Sequence, residues 1–335
     1  MRTRIAHRAS ACIGALAAAA AASAAPPAAA PVLLDELRLA EQVYALRPDL
    51  AIGNPTILVV RDGRDAVLID AGIPENGPVL RSWLADHGID RVRYLIFSHD
   101  HTDHVWGAQT FVADAPTVIA TAEQAARLTA GPLHGTNDTL DRRVHPALWV
   151  DDQLVLKAGS QTLRILRPPY RRSHTDGDLF VRIEPADVIY AGDHLFADRF
   201  PVIDRESGGD LWGYLANVEW LAIQMRESTR WIAGHAAFAP AEFTTYSRAE
   251  VSAWVTLLRA SIAEIAQTRA SGVGLEAAQA RGLSARFSSL GERPRFVKPE
   301  AWIETVYRAL EDCDHRPREI RGSAVPACGA APARR

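Results

Sequence analysis

The sequence predicts an α/β fold in which two β-layers lie between helical layers, with a helical part after them. Three observations predict it. Short runs of β-branched, aromatic and aliphatic residues recur from residue 32 to residue 233, bounded by Gly, Pro and Asp turn signals. Stretches with apolar residues at helical spacing alternate with them. Runs rich in His and Asp stand directly after several of the strand-like runs, where open α/β folds place their chemistry.

The elements follow in order. Residues 32–46 form one or two strands. Residues 54–60 and 66–70 read as a hairpin around Asp62-Gly63, and Asp70-Ala71-Gly72 closes its second strand. A helix spans 77–87, with Val79, Leu80, Trp83 and Leu84 at helical spacing and His87 at its end. Residues 91–97 form a buried strand. A helix opens at 105–111, followed by a strand at 117–120 and a helix at 122–128. Residues 130–146, with His134 and His145, are a loop-rich insertion. Strands at 148–156 and 161–166 turn at Ala158-Gly159, and 179–183 pairs with 188–190. A helix at 212–223 leads to a strand at 230–233. Phe196, Phe200 and Trp212 are expected as a lid over a pocket. Beyond residue 245, helices at 246–268, 275–285 and 302–310 form an extension packed on the core. The first carries Val251, Trp254, Leu257, Leu258, Ile262 and Ile265 on one face.

Around this core, residues 1–24 read as a secretory signal. Arg2, Arg4 and Arg8 precede an apolar run from Ala11 to Ala22, and Ala22-Ser23-Ala24 is a cleavage signal. The run is too short and Ala-rich for a good permanent membrane span. An uncleaved anchor is the alternative. The chain is therefore expected to be periplasmic or secreted, without stable membrane insertion after cleavage. Residues 25–31 are a Pro/Ala linker and 315–335 a tail. Of the three cysteines, Cys313 and Cys328 remain after cleavage, as a disulfide or as two free thiols. The 335 residues carry a formal charge of −3, and loss of the three leader arginines makes it −6. Such a surface argues against a nucleic-acid partner and suits a small-molecule substrate. The sequence leaves the oligomeric state open.

One stretch organises the chain. Ser98-His99-Asp100-His101-Thr102-Asp103-His104 packs three histidines and two aspartates into six residues after the 91–97 strand. Alternation in the loop can turn His99 and His101 toward one point, with Asp103 and His104 toward a second. Nitrogen and carboxylate donors so close together suit zinc best, with iron and manganese also compatible.

His-x-His-x-Asp-His, read as His99, His101, Asp103 and His104, resembles the signature of the metallo-β-lactamase superfamily. The resemblance spans residues 32–245. His174 in Ser173-His174-Thr175-Asp176-Gly177-Asp178, Asp193 in Ala191-Gly192-Asp193-His194 and His235 in Ala233-Gly234-His235 match the family's later ligands. The resemblance implies an αββα sandwich holding two Zn²⁺ ions. His99, His101 and His174 would bind the first ion, Asp103, His104 and His235 the second, and Asp193 would bridge them. It implies hydrolysis by a hydroxide held between the metals, with Asp103 as the catalytic residue that orients it. Asp70 and Asp178 would brace the metal loops, and His194 would stand behind the ligands or in the pocket wall. Trp106 stands where the family usually has a small residue. It either brings an indole to the pocket mouth or repacks a helix. Arg171 and Arg172 either orient an anionic substrate group or are solvated. Zinc β-lactamases typically carry Cys or Ser at the Asp193 position, and thioesterases, lactonases and phosphodiesterases carry Asp. The sequence looks most similar to the exported branch associated with quinoprotein and sulfur-oxidation systems. β-Lactam hydrolysis and a non-hydrolytic accessory role beside a periplasmic redox enzyme are the alternatives.

Overall fold

The computed structural model describes residues 33–49, 55–196, 199–235, 244–291 and 296–315. The signal, linker and tail readings lie outside these residues, as does Cys328. Cys313 is disulfide-bonded. Among the described residues no helix is long and apolar enough to cross a membrane.

A seven-stranded sheet runs in sequence order through β1 (Leu33–Ala40), β2 (Val43–Asp49), β3 (Ile57–Asp62), β4 (Asp65–Ile69), β5 (Arg91–Ile96), β6 (Thr117–Ala120) and β7 (Pro146–Trp149). Between these strands lie α1 (Gly77–Asp86), the single turn α2 (Thr102–Val105), a 3-10 stretch over Trp106–Asp114, and α3 (Ala122–Ala130). A five-stranded sheet follows: β8 (Gln153–Ala158), β9 (Gln161–Leu166), β10 (Phe180–Glu184), β11 (Val188–Tyr190) and β12 (Arg230–Ile232). Helix α4 (Leu211–Gln224) connects the last two strands. Helices α5 (Arg248–Ala270), α6 (Leu275–Arg281), α7 (Ser288–Gly291) and α8 (Pro299–His315) complete the chain.

Period-two alternation makes the layers. On β3, Leu58 and Val60 face the space between the sheets, where they join Leu163, Val181 and Ile189's neighbour Tyr190. Ile57 and Val59 face the other way, against Leu80 and Trp83 of α1 and Phe111. The outer face of the second sheet carries Phe180, Ile189 and Trp231, which pack on α4, α5 and α8. The two sheets thus sit between two helical layers, as the sequence predicts.

Several local expectations change. The stretch 148–156 is not one strand: β7 pairs with β6, β8 pairs with β9, and the chain bends between sheets at Asp151-Asp152. The second extension helix stops at Arg281, because Gly282 takes φ +70° at its C-terminus, a conformation that other residues rarely adopt. The α8 helix is longer than the 302–310 reading. Helix α5 begins at a capping box, with the Ser247 hydroxyl on the Glu250 amide and the Glu250 carboxylate on the Ser247 amide (2.7 Å). Such a cap contributes about 1 kcal/mol. Phe196, Phe200 and Trp212 are buried in the outer core, where large apolar side chains leave water, so they are packing and not a lid.

Candidate metal centre

The ends of both sheets converge on one spot. Parallel β4 and β5 end at Ile69 and Ile96, delivering Asp70 and the Ser98–His104 stretch. Parallel β11 and β12 end at Tyr190 and Ile232, delivering Asp193 and His235. The Leu179 amide donates to the Ser98 carbonyl (2.7 Å) and Thr56 to the Gly234 carbonyl (2.7 Å), tying the two sheet ends together. Gly234 is required there: a Cβ on it would stand 2.1 Å from the Asp193 carboxylate.

The histidine run is not all loop. His101 is extended (φ −64°, ψ 143°), and α2 begins immediately after it. The turn places Asp103 and His104 in a second donor set directly beside the first, with the His99 and His104 ring centroids 4.2 Å apart. Two donor sets result: His99, His101, His174 and Asp193, and beside them Asp103, His104 and His235. The structure therefore brings together all seven residues named as ligands from the sequence.

Asp193 stands between the two sets. Its Oδ2 lies 3.9 Å from His99 Nε2, 3.8 Å from His174 Nε2 and 3.3 Å from His235 Nε2, and its Oδ1 lies 3.3 Å from His104 Nε2. Within the sets, ring nitrogens face each other: His101 Nδ1 and His174 Nε2 at 3.2 Å, His104 Nε2 and His235 Nε2 at 3.3 Å. The Nε2 of His99 and the Oδ1 of Asp193 are buried without a hydrogen-bond partner. Buried polar atoms left so are rare and costly. A divalent cation would satisfy them, so the residues fit a metal.

Electrostatics agree. Burial, with His104 nearby, drives His99 well below the usual imidazole range. Burial and His101 bring His174 down to about 4. Both rings are neutral, with a free lone pair. Burial would raise Asp193, but His235 and His104 outweigh it and hold the carboxylate ionised. Burial would likewise raise Asp103, and His104 and His235 lower it. Burial disfavours charge on His104, yet Asp193, Asp103 and Asp70 together raise it well above its usual value, so a proton and a metal compete for this ring.

Behind the donors the rings of His99, His101, His104 and His174 are held by the far nitrogen, as orientation of metal-binding histidines requires, and for His99 the Ser98 hydroxyl meets Nδ1 (3.0 Å). Asp70, fully buried at φ +59°, receives the Ser98 amide (2.7 Å), the Ser98 hydroxyl (2.7 Å) and the Tyr190 hydroxyl (2.6 Å), and bonds His104 Nδ1 (2.8 Å). Asp178 accepts from the Thr175 amide (2.9 Å) and hydroxyl (2.7 Å), closing the His174 loop, while burial pushes its carboxyl up to about 8. His194 turns away from the donors: it bonds the Ser173 hydroxyl and stacks on Tyr214 at 5.2 Å.

Two holders were not foreseen in the sequence. The Val202 carbonyl meets His174 Nδ1 (2.9 Å), and the Asp204 carboxylate meets His101 Nε2 (2.9 Å). Burial works against a proton on His101, but the Asp204 bond together with the charges of Asp193 and Asp103 outweighs it and raises its pKa. The only local signal was the polar turn at Asp204-Arg205-Glu206-Ser207, where Asp204 Oδ1 accepts the amides of Glu206 (3.0 Å) and Ser207 (3.2 Å). Asp204→Ala should weaken metal binding at the set that contains His101 by roughly 10- to 100-fold, the usual effect of losing such a partner. Competition with a chromophoric chelator measures it.

A cavity of about 760 Å³ opens beside the cluster, with His101 and Asp103 in its wall. Trp106 also lines it, so the indole stands at the pocket. Arg171 and Arg172 do not. Arg171 bonds the Asp151 carbonyl and the Asp152 carboxylate (2.9 Å), and Arg172 the Gly208 carbonyl (3.0 Å). Acceptors elsewhere hold both guanidinium groups, and neither arginine is among the described residues that line the cavity. His134 is at the cavity, with its ring 5.8 Å from that of His101.

Over residues 51–246 the sequence matches the metallo-beta-lactamase superfamily. An uncharacterized protein of Mycobacterium leprae (strain TN) is 28% identical over 195 residues, which are 54% of this chain and 85% of that protein. A metallo-beta-lactamase from Pontibacter korlensis superposes with a TM-score of 0.54 at 18% identity, covering 68% of this chain and 99% of that one. A metallo-beta-lactamase of Cronobacter sakazakii with a HARLDQ motif gives 0.51 at 20% identity, covering 70% and 95%. At these identities the solved structures speak to the fold alone. With its family match over more than half its length, its αββα layers and its His/Asp cluster, the chain belongs to the metallo-beta-lactamase superfamily.

Proposed function

We propose that the protein is an exported dinuclear zinc-dependent hydrolase acting at a carbonyl or phosphoryl centre of a small molecule. The observation that carries this reading is the pair of adjacent donor sets with the Asp193 carboxylate between them. His99, His101 and His174 would hold one metal, Asp103, His104 and His235 the other, and Asp193 would touch both. Zinc bound there supplies a water acidified toward pKa ~7 and a Lewis acid for the carbonyl or phosphoryl oxygen.

The chain's own residues supply the rest. Asp103 is ionised and reaches the cavity, so its carboxylate can orient an attacking water and take its proton. Its Oδ2 lies 3.4 Å from His235 Nε2, which fixes its direction. Asp70, Asp204 and the Val202 carbonyl keep the rings aimed, so no reorganisation is needed when substrate arrives. The enclosing strands exclude water from the inner side of the cluster, where His99 and His104 are buried. Export remains the expectation from the leader: sequencing the N-terminus of protein recovered from the periplasm or medium should start at Ala25, and retention of Met1 would refute cleavage.

The test is hydrolysis by the zinc-loaded protein of a chromogenic cephalosporin, a thioester, a lactone and a phosphodiester, with His99→Ala as control. Turnover of any one, lost in the control, establishes the enzyme and its bond class. Turnover of the cephalosporin would identify a β-lactamase. Silence across the panel with metal bound favours a narrower substrate or the accessory role. Independently, stripping the metal with a chelator should lower the thermal midpoint by about 5–10 °C, since a ligand at 100 times its Kd stabilises by about 2.7 kcal/mol. An unchanged midpoint would remove the metal from the reading.

A further inference from the structure

The cavity that reaches the cluster is anionic. Its described walls include Glu75, Asp103, Asp204 and Glu206, and no Lys or Arg is among them. The carboxylates of Glu75 and Glu206 are exposed at the cavity and are not engaged by any cation among the described residues. Neighbouring arginines are turned elsewhere: Arg127 to Asp100 (2.8 Å) and Asp176 (2.7 Å), Arg171 to Asp152 (2.9 Å), Arg205 to Asp312 (2.6 Å). Trp106 adds an aromatic wall to the same space. An indole with carboxylates around it is the chemistry that receives an ammonium group. A carboxylate or phosphate on the substrate would meet no Lys or Arg among the described lining residues.

The walls are also held in place. The Gly107 amide donates to the Gly72 carbonyl (2.7 Å), and the Ala71 amide to the His104 carbonyl (2.8 Å). A Cβ on Gly107 would stand 2.0 Å from the Ala71 carbonyl oxygen, so the segments carrying Trp106 and Glu75 are in direct backbone contact. Glu206 sits on the turn that Asp204 closes, and the other Asp204 oxygen holds His101. The buried His99 Nε2, without a hydrogen-bond partner, belongs to the donor set that also contains His101, and His101 is the member of that set in the cavity wall.

We propose that this site selects substrates carrying a positive charge, an amine or quaternary ammonium group placed beyond the reacting carbonyl, and disfavours those carrying a carboxylate. The proposal rests on the hydrolase reading for the word substrate, but the selectivity itself is a property of the cavity. It points to Glu75, Glu206 and Trp106 as the residues that read the charge.

Small thiols that ligate a metal test it without turnover. The protein loaded with cobalt(II) is titrated with cysteamine, 2-mercaptoethanol and 3-mercaptopropionate, and the thiolate-to-cobalt absorption gives each Kd. The thiols differ in their own acidity, so the decisive quantity is how the cysteamine-to-mercaptopropionate affinity ratio changes in Glu75→Gln/Glu206→Gln. Removing two charges near the ligand should reduce that ratio by about tenfold, and high salt should reduce it in the parent as well. Trp106→Leu should weaken cysteamine more than the other two. A ratio unchanged by the double substitution, or no thiol binding to the metal-loaded protein, would overturn the proposal. In the ester panel, amine-bearing substrates should turn over faster than matched carboxylates. The reverse order would sink the selectivity and keep the hydrolase, whereas thiol selectivity with no turnover would keep the cavity's preference and sink the hydrolase.

Discussion

Asp193→Ala should leave a protein that holds fewer metals and turns over more slowly by on the order of 10²–10³ or more, the scale of losing one preorganised electrostatic group. The reason is position. The carboxylate faces His99 and His174 on one side and His104 and His235 on the other, at 3.3–3.9 Å. Without it the two donor sets lose the carboxylate that stands between them, and the imidazoles of His99, His174, His104 and His235 face one another with less negative charge to balance a bound cation. His194→Ala is the matched control. That ring is next in sequence, but it bonds Ser173 and stacks on Tyr214 away from the donors. Its loss should cost about 1–3 kcal/mol of stability through the buried groups it leaves, with metal stoichiometry kept. Metal content by mass spectrometry under native conditions, beside kcat, separates the two. Equal metal content and rate for Asp193→Ala and the parent would refute the bridging assignment.

Asp70→Ala should be the more damaging change to the fold. It strips partners from the Ser98 amide, the Ser98 hydroxyl, the Tyr190 hydroxyl and His104 Nδ1, all buried. The Tyr190 hydroxyl keeps the Thr56 carbonyl (3.0 Å) and the Ser98 hydroxyl keeps His99 Nδ1 (3.0 Å), so the Ser98 amide and His104 Nδ1 are the groups left unsatisfied. At roughly 1–3 kcal/mol each the sum reaches at least about 2 kcal/mol, and at about 2–4 °C per kcal/mol the midpoint should fall by about 4 °C or more. Asp70→Asn keeps the shape and tolerates φ +59°, since Asn is among the residues that adopt it. That variant should fold, with the second metal bound roughly 10- to 100-fold more weakly because His104 has lost its anchor. A midpoint and a metal affinity both unchanged in Asp70→Asn would refute its role as the holder of His104.

The sequence carried the layers because their cause is local. Alternation on β3 sends Leu58 and Val60 one way and Ile57 and Val59 the other, and that pattern is written in consecutive letters. The donor residues were legible for another reason: they stand in the stretches that follow strands, and the type of side chain announces its chemistry. What failed to show was tertiary. Residues 148–156 look like one strand, and only the pairing of β7 with β6 and β8 with β9 reveals two. Arg171 and Arg172 are close to His174 in sequence, yet their reach is decided by Asp152 and the Gly208 carbonyl. Asp204 is 103 positions from the ring it holds, and no spacing encodes that meeting. Phe196, Phe200 and Trp212 have the composition of a lid, and only the helices packed on them show a core.

Those helices bear on the metals in a way that the family boundary conceals. The family match ends at residue 246, but the segment that steadies His101 and His174 is fastened from beyond it. The Trp254 indole donates to the Arg199 carbonyl (3.0 Å), Phe200 stacks on Trp302 (5.2 Å) and bridges to Val297, and Arg205 pairs with Asp312 (2.6 Å). Two to four residues along the same strap, Val202 and Asp204 touch the rings. The donor geometry is therefore shared between the domain that matches the family and helices outside the matched range. Changes in α8 can drift into metal selectivity without touching a single ligand, and a minimal fragment cut at the family limit would lose those helices together with the grip.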